Sequence, residues 1–213
     1  MPDPIVVIFM KYPTPGRVKT RLAARLGAAG AAAAYEQLAT ATLANLAIPL
    51  EGWKYWIAFD PPDHQEQVSA WLRANIPDFH WHRLHPQPPG DLGARLWEAV
   101  NTAIVSEGAS SVMLIGTDCP WLRSHHLKQA QQWLDQGADL VFGPASDGGY
   151  YLQAMKSAVP EMFLDIPWSA PNTLPACLER ARLLGLKVAL LEELADVDTI
   201  TDWEFWRKQL SNS

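Results

Sequence analysis

The sequence predicts an α/β fold, with a mostly parallel central sheet and helices on both faces. Two observations lead there. Short runs of aliphatic and β-branched residues, nearly unbroken by polar ones, alternate along the chain with longer helix-favouring stretches. The links between them are about two to six residues long, as compact α/β units require. A chain of 213 residues with 48% hydrophobic content can build one sizeable core, and residues 1–210 are expected to form one domain, with 211–213 a loose tail.

Ile5 to Met10 reads as the first strand. Lys19 to Leu26 and the Ala-rich Ala28 to Leu46 read as helices, broken at Gly27 and Gly30. Tyr55 to Phe59 is the second strand, ended by Asp60-Pro61-Pro62, and Gln65 to Ala74 is a helix with Val68, Trp71 and Leu72 on one face. His80 to Leu84 reads as a third strand. Pro86-Gln87-Pro88-Pro89-Gly90 cannot be regular structure, and Asp91 is placed to cap a helix that runs to about Val105. Val112 to Ile115 is the fourth strand and His126 to Gln136 a helix; Asp139 to Phe142 and Tyr150 to Met155 are the next two strands. A helix from Thr173 to Leu184, a strand from Lys187 to Leu191 and a helix from Thr199 to Leu210 complete the pattern.

Composition excludes several functions. No apolar run approaches the ~20 residues of a membrane span, and the amino terminus lacks a basic-then-apolar secretion pattern, so a cytoplasmic protein is expected. Cys119 and Cys177 have no paired-ligand spacing, which argues against a disulfide and a structural zinc site. The net charge of -6 disfavours a nucleic-acid partner, whose phosphates would need clustered Lys and Arg. His80, His82 and His85 resemble a metal cluster, but no acid stands near them, so they read as surface histidines. Of the ten tryptophans, Trp71, Trp97 and Trp133 fall at packing positions; Trp168, in the loop Pro167-Trp168-Ser169, is placed to line a pocket.

Chemistry concentrates where the predicted strands end. Val112 to Ile115 stops at Gly116-Thr117-Asp118-Cys119-Pro120, placing Asp118 at a strand's carboxyl end, where open α/β sheets bind ligands. A carboxylate there needs a metal ion, a Lys or Arg, or a helix amino terminus. The first strand runs into Lys11-Tyr12-Pro13-Thr14-Pro15-Gly16-Arg17-Val18-Lys19-Thr20-Arg21, which sets four cations about a helix start and suits a phosphate. It has neither the Walker A spacing nor the three-glycine dinucleotide fingerprint. Gly90-Asp91-Leu92-Gly93-Ala94-Arg95 offers close backbone approach and one guanidinium, with Asp91 equally explained as a cap. Gly143-Pro144-Ala145-Ser146-Asp147-Gly148-Gly149-Tyr150-Tyr151 is a turn with an aromatic pair suited to stacking on a base or sugar. In Asp196-Val197-Asp198-Thr199, an acid reads either as a cap or as a second carboxylate for a divalent cation, and Thr199 to Asp202 resembles a capping arrangement.

Together these motifs, ordered along the whole chain, resemble the bacterial DUF2064 family, also called arsenosugar-biosynthesis-type glycosyltransferases, of the glycosyltransferase A superfamily. The resemblance implies a Rossmann-like nucleotide-diphospho-sugar transferase sandwich and a divalent cation, Mg2+ or Mn2+, that bridges the nucleotide's phosphates. By similarity, Asp118 matches the superfamily's metal-binding aspartate, and Asp198 the position that completes the site in related nucleotidyltransferases. Thr-Asp-Cys departs from a two-aspartate motif, and prolines replace the glycines of the usual phosphate loop.

The combined expectation is a metal-dependent transferase with Asp118 and Asp147 catalytic and Asp118 and Asp198 on the metal. Lys11, Gly16, Arg17, Lys19, Arg21, Asp91, Gly93 and Arg95 are expected to bind the nucleotide, and Gly148, Gly149, Tyr150, Trp168 and Ser169 a small acceptor. Its leading reaction is glycosyl transfer from a nucleotide-sugar. The alternative is nucleotidyl transfer from a triphosphate with release of pyrophosphate, which the cation-rich loop and two separated carboxylates would also suit. A non-catalytic nucleotide-binding protein is the third reading.

Overall fold

A computed structural model describes residues 2–47 and 50–211. Its elements are, in chain order, β1 (Ile5–Lys11), α1 (Thr20–Ala44), β2 (Lys54–Asp60), α2 (Gln65–Asn75), β3 (Arg83–Pro86), α3 (Leu92–Asn101), β4 (Val112–Ile115), α4 (Ser124–Asp135), β5 (Leu140–Pro144), β6 (Tyr150–Met155), α5 (Thr173–Leu183), β7 (Val188–Leu190) and α6 (Ile200–Ser211). The seven strands form one sheet in the order β3-β2-β1-β4-β6-β5-β7, and β6 alone runs antiparallel to its neighbours. The expected mostly parallel α/β sandwich is therefore what the chain forms.

Both faces of the sheet are covered, which explains why its strands read as continuous apolar runs. Val6, Ile8, Met10, Ile57, Phe59, Met113 and Ile115 face the helices that carry Leu43, Leu72 and Leu134. The alternate residues Ile5, Val7, Ala58, Val112, Leu114 and Phe142 face Leu96, Val100, Leu174 and Cys177. A third cluster joins Leu22, Leu38, Trp203 and Trp206, where α6 packs on α1. Both cysteines are buried and free, as expected. No helix among the described residues is long and apolar enough to cross a membrane.

Several element boundaries differ from expectation. The third strand lies at Arg83–Pro86 and not at 80–84, because its register pairs Trp56 with Arg83 and Phe59 with Pro86. His80 and His82 thus precede it, and the His82 ring accepts the Tyr55 backbone N–H. Pro86 is tolerated because β3 is an edge strand and loses no ladder bond there. The two expected amino-terminal helices are one element kinked at Gly27, whose φ of 70° interrupts the helix. Thr102–Ser106 prolong α3 as a π-helical turn, and Pro160–Phe163 form a short 3-10 helix that the sequence did not suggest. Ser211 belongs to α6 and not to a loose tail; residues 212 and 213 lie outside the described residues. Trp133 is 40% exposed, contrary to its expected packing role.

Topology positions the site. From β1 the chain adds β2 and β3 on one side and β4 on the other, so the order reverses between β1 and β4. Crevices at such a reversal are where open α/β sheets take ligands. The loops after both strands meet there through Tyr35 of α1. Its hydroxyl accepts the Lys11 backbone N–H at 2.8 Å and bonds Thr117 Oγ1 at 2.8 Å. Tyr35→Phe should therefore cost about 1–3 kcal/mol by leaving these groups unpaired. A thermal melt should fall by about 2–4 °C per kcal/mol for a chain of this size; an unchanged melt would show that the tie bears no load.

Candidate functional site

The loop after β1 turns at Gly16, whose φ is 79°, and delivers Lys19 to the start of α1. Lys19 itself adopts the left-handed conformation, φ 42° and ψ 50°, uncommon outside glycine and a form of strain that collects at functional sites. Its side chain is 6% exposed and runs between two acids. Lys19 Nζ donates to Asp198 Oδ1 at 2.6 Å and to Asp118 Oδ2 at 3.2 Å, and Arg21 holds the other Asp198 oxygen at 2.9 Å. Of the three kinds of partner open to Asp118 on sequence, Lys19 supplies the cationic side chain. Burial alone would lower the Lys19 pKa, but Asp118 and Asp198 outweigh it and keep the ammonium charged. Burial pulls Asp198 upward, yet Lys19 and Arg21 hold its carboxyl below the usual range.

The acids arrive from three strand-end loops that are tied to one another. Val197 N–H reaches the Asp118 carbonyl at 3.4 Å, and the Cys119 thiol the Ala195 carbonyl at 3.5 Å. Leu194 and the turn after β5 exchange backbone bonds, Leu194 N–H to Pro144 at 3.0 Å and Ser146 N–H to Leu194 at 3.1 Å. This brings Asp147, Asp196 and Asp198 together, with one carboxylate oxygen from each within 4.8 Å of the others. Asp196 is half-buried, and burial first, then Asp147, Asp198 and Asp118, raises its pKa to about 6. Asp202 is spent otherwise: its carboxylate accepts the Thr199 N–H at 2.8 Å and hydroxyl at 2.7 Å, the expected cap.

Two adjoining cavities open on this cluster. The larger, about 750 Å3, is lined by Lys11, Arg17, Lys19, Arg21, Asp91 and Arg95, with Asp118 and Asp198. Arg95 is held in place by the Gly90 carbonyl and Gln87 Oε1, at 3.0 and 3.1 Å. Asp91 caps α3, accepting the Ala94 N–H at 2.8 Å, so its structural explanation holds. The smaller, about 280 Å3, is lined by Asp118, Asp147, Asp196, Gly149, Tyr150, Trp168 and Ser169 over an apolar floor.

Three expected site residues act at one remove, beyond the linings of both cavities. Gly16 shapes the first loop. Gly93 lies under Trp168: a Cβ there would come within 2.6 Å of Trp168 Nε1 and the Phe163 carbonyl. A Cβ on Gly148, at φ 89°, would strike the Pro171 backbone. Tyr150 gives the smaller cavity its ring alone, because its hydroxyl donates inward to Gln153 Oε1 at 2.9 Å. Tyr35 and Gln87 were not expected at the site, a tyrosine inside an Ala run being the one available hint, and the sequence left open which of Asp196 and Asp198 serves it.

The sequence profile of a family described as an uncharacterized protein conserved in bacteria, DUF2064, matches residues 42–170. The chain belongs to the DUF2064 family. It is 32% identical to a Desulfovibrio desulfuricans G20 protein provisionally described as a nucleotide-diphospho-sugar transferase; the match covers 100% of this chain and 90% of that one, with a TM-score of 0.87. CMP:2-keto-3-deoxy-manno-octonic acid synthetase complexed with CTP aligns over 99% of both chains at 15% identity and a TM-score of 0.59. The 4-diphosphocytidyl-2C-methyl-D-erythritol synthase of Anaerococcus prevotii DSM 20548 aligns over 97% of this chain and 98% of its own, at 10% identity and a TM-score of 0.61. These last two likenesses concern the fold. No curated protein sequence matches the chain.

Two measurements check the site's geometry. Gly93→Ala should destabilise the protein by about 1–3 kcal/mol, since backbone at Phe163 must shift. For Asp196, the folded carboxyl takes its proton at about 6 and the ordinary one at 3.8, so between those values the folded state binds more proton. Stability is therefore lost as pH rises through that window. In chelator-treated protein, Asp196→Asn should melt higher than the parent at pH 8 and equally at pH 4; an equal gain at both would refute the acid cluster.

Proposed function

We propose that the chain is a nucleotide-using transferase that moves a glycosyl group from a nucleotide-diphospho-sugar to a small acceptor. The observation that carries this reading is the division of the site: a cation-lined cavity sized for a nucleotide meets an acid- and aromatic-lined cavity at Asp118. The 32% identical relative, by its description, supports the same chemistry.

In this reaction the acceptor hydroxyl oxygen bonds to the sugar's anomeric carbon while the bond from that carbon to the diphosphate oxygen breaks, releasing nucleoside diphosphate. Lys11, Arg17, Arg21 and Arg95 hold the phosphates, and the developing negative charge falls beside the buried Lys19 ammonium. Asp118 keeps Lys19 aligned for that task. Asp147 lies at the acceptor's cavity with Oδ1 already occupied by the Gly149 N–H at 2.8 Å, which leaves Oδ2 to receive the hydroxyl proton. Tyr150 and Trp168 offer ring faces to the acceptor.

The acids fit a divalent cation. Burial and its neighbours' charge raise the Asp196 pKa, a crowding that a cation beside Asp196 and Asp198 would relieve. We assign Mg2+ or Mn2+ to that pair, two carboxylates plus substrate phosphates being its usual surroundings. Bound there, it would supply charge neutralisation to the departing diphosphate.

The cationic lining of the larger cavity also suits a triphosphate, which gives nucleotidyl transfer as the second reading. A thermal-shift panel of nucleoside triphosphates and nucleotide-sugars, with and without Mn2+, separates the two. A ligand at a hundred times its Kd stabilises by about 2.7 kcal/mol. Nucleotide-sugars with Mn2+ are expected to raise the melt, and Asp118→Asn to abolish turnover. Stabilisation by triphosphates alone would replace glycosyl with nucleotidyl transfer.

A further inference from the structure

The smaller cavity carries a chemical preference of its own. Its floor is apolar and aromatic, built by Phe9, Leu92, Leu96, Leu114 and the ring of Trp168. Its charged lining is wholly acidic, Asp118, Asp147 and Asp196, beside the hydroxyl-bearing Ser169 and Thr173. Among the described residues, no Lys, Arg or His side chain lines it. The cations of this end of the sheet lie in the larger cavity instead, where Lys11, Arg17, Arg21 and Arg95 stand. Lys19 lines the larger cavity too, and both of its contacts go to carboxylates, one of them Asp118, which borders both cavities.

We infer that the second substrate is a small molecule with an apolar body and no anionic group, neutral or cationic, and that phosphorylated and carboxylated acceptors are excluded. This rests on the proposed reading of the smaller cavity as the acceptor site. An anionic group placed there would lose its water beside three carboxylates without gaining a guanidinium fork, and the cation assigned to Asp196 and Asp198 is already matched by those two acids and the nucleotide's phosphates. The nucleotide's own phosphates in the adjoining cavity would add to the repulsion. A cationic or hydroxyl-bearing group meets the opposite situation, since the rim supplies acceptors for its N–H or O–H donors.

Size narrows the class further. A cavity of about 280 Å3 lies at the lower end of the volumes ligand pockets occupy. It admits one ring with a few substituents and not a polymer. Trp168 fixes that limit: it is packed on Gly93, where nothing larger than hydrogen fits, so the wall cannot retreat toward α3. The Tyr150 hydroxyl, turned to Gln153, adds no donor that would welcome a carboxylate or phosphate.

The test uses four compounds that share one ring and differ in charge: benzyl alcohol, benzylamine, benzoate and phenyl phosphate. Binding to the full chain is followed by the 13C-methyl signals of Leu96 and Leu114, which line the smaller cavity and not the larger. Benzyl alcohol and benzylamine are expected to move these signals, whereas benzoate and phenyl phosphate leave them in place. Asp196→Asn should weaken benzylamine at least threefold and benzyl alcohol by less than twofold. Movement by either anion at equal or lower concentration, or silence from all four compounds, overturns the inference. Because no nucleotide is present, failure here is distinct from failure of the transferase reading, which the nucleotide panel decides.

Discussion

A charged ammonium, 6% exposed, sits where three strand-end loops converge, and the rest of the site is arranged to accommodate it. Lys19 cannot stay charged at that depth unless opposite charge is held against it. Asp118 supplies one contact from the loop after β4, and Asp198 the other from the segment before α6. The two acids are far apart in sequence, so the ion pair fixes the relative placement of distant parts of the fold. The left-handed backbone of Lys19 is a second sign that tertiary structure dictates this residue's conformation.

The same constraint divides the site electrostatically. The loop after β1 brings only cations, and the loops after β5 and β7 bring only acids among the charged residues that line the cavities. Lys19 and Arg21, pairing with Asp118 and Asp198, form the seam. The two cavities thereby present opposite fields on either side of Asp118. Both cavities open where the strand order reverses between β1 and β4.

Much of this was legible in the sequence because strands buried on both faces leave a clear apolar record, and because the Gly, Pro and Asp residues that end them are conspicuous. Lys19, Asp118, Asp147 and Asp198 could all be picked out as strand-end residues. Their pairing could not, since the approach of Lys19 to two acids depends on packing across the sheet. Asp196 was obscured by its neighbours Asp198 and Asp202, one of which caps a helix, and spacing does not distinguish a cap from a cluster member. Gln87 lay in a proline-rich stretch with no periodicity to orient it, yet it bonds the Met10 and Ala58 carbonyls and braces Arg95. The shift of β3 has a similar origin: an edge strand's register follows its partner's exposed backbone more than its own composition.

A double-mutant cycle measures the Lys19 contacts directly. Stability is determined for the parent, Lys19→Met, Asp198→Asn and the double variant in the absence of nucleotide and metal. Each single change leaves the opposite charge buried without its partner, so the two losses should be strongly non-additive. A coupling energy above about 1 kcal/mol is predicted. Additive losses, with coupling near zero, would contradict the claim that this buried ion pair organises the site.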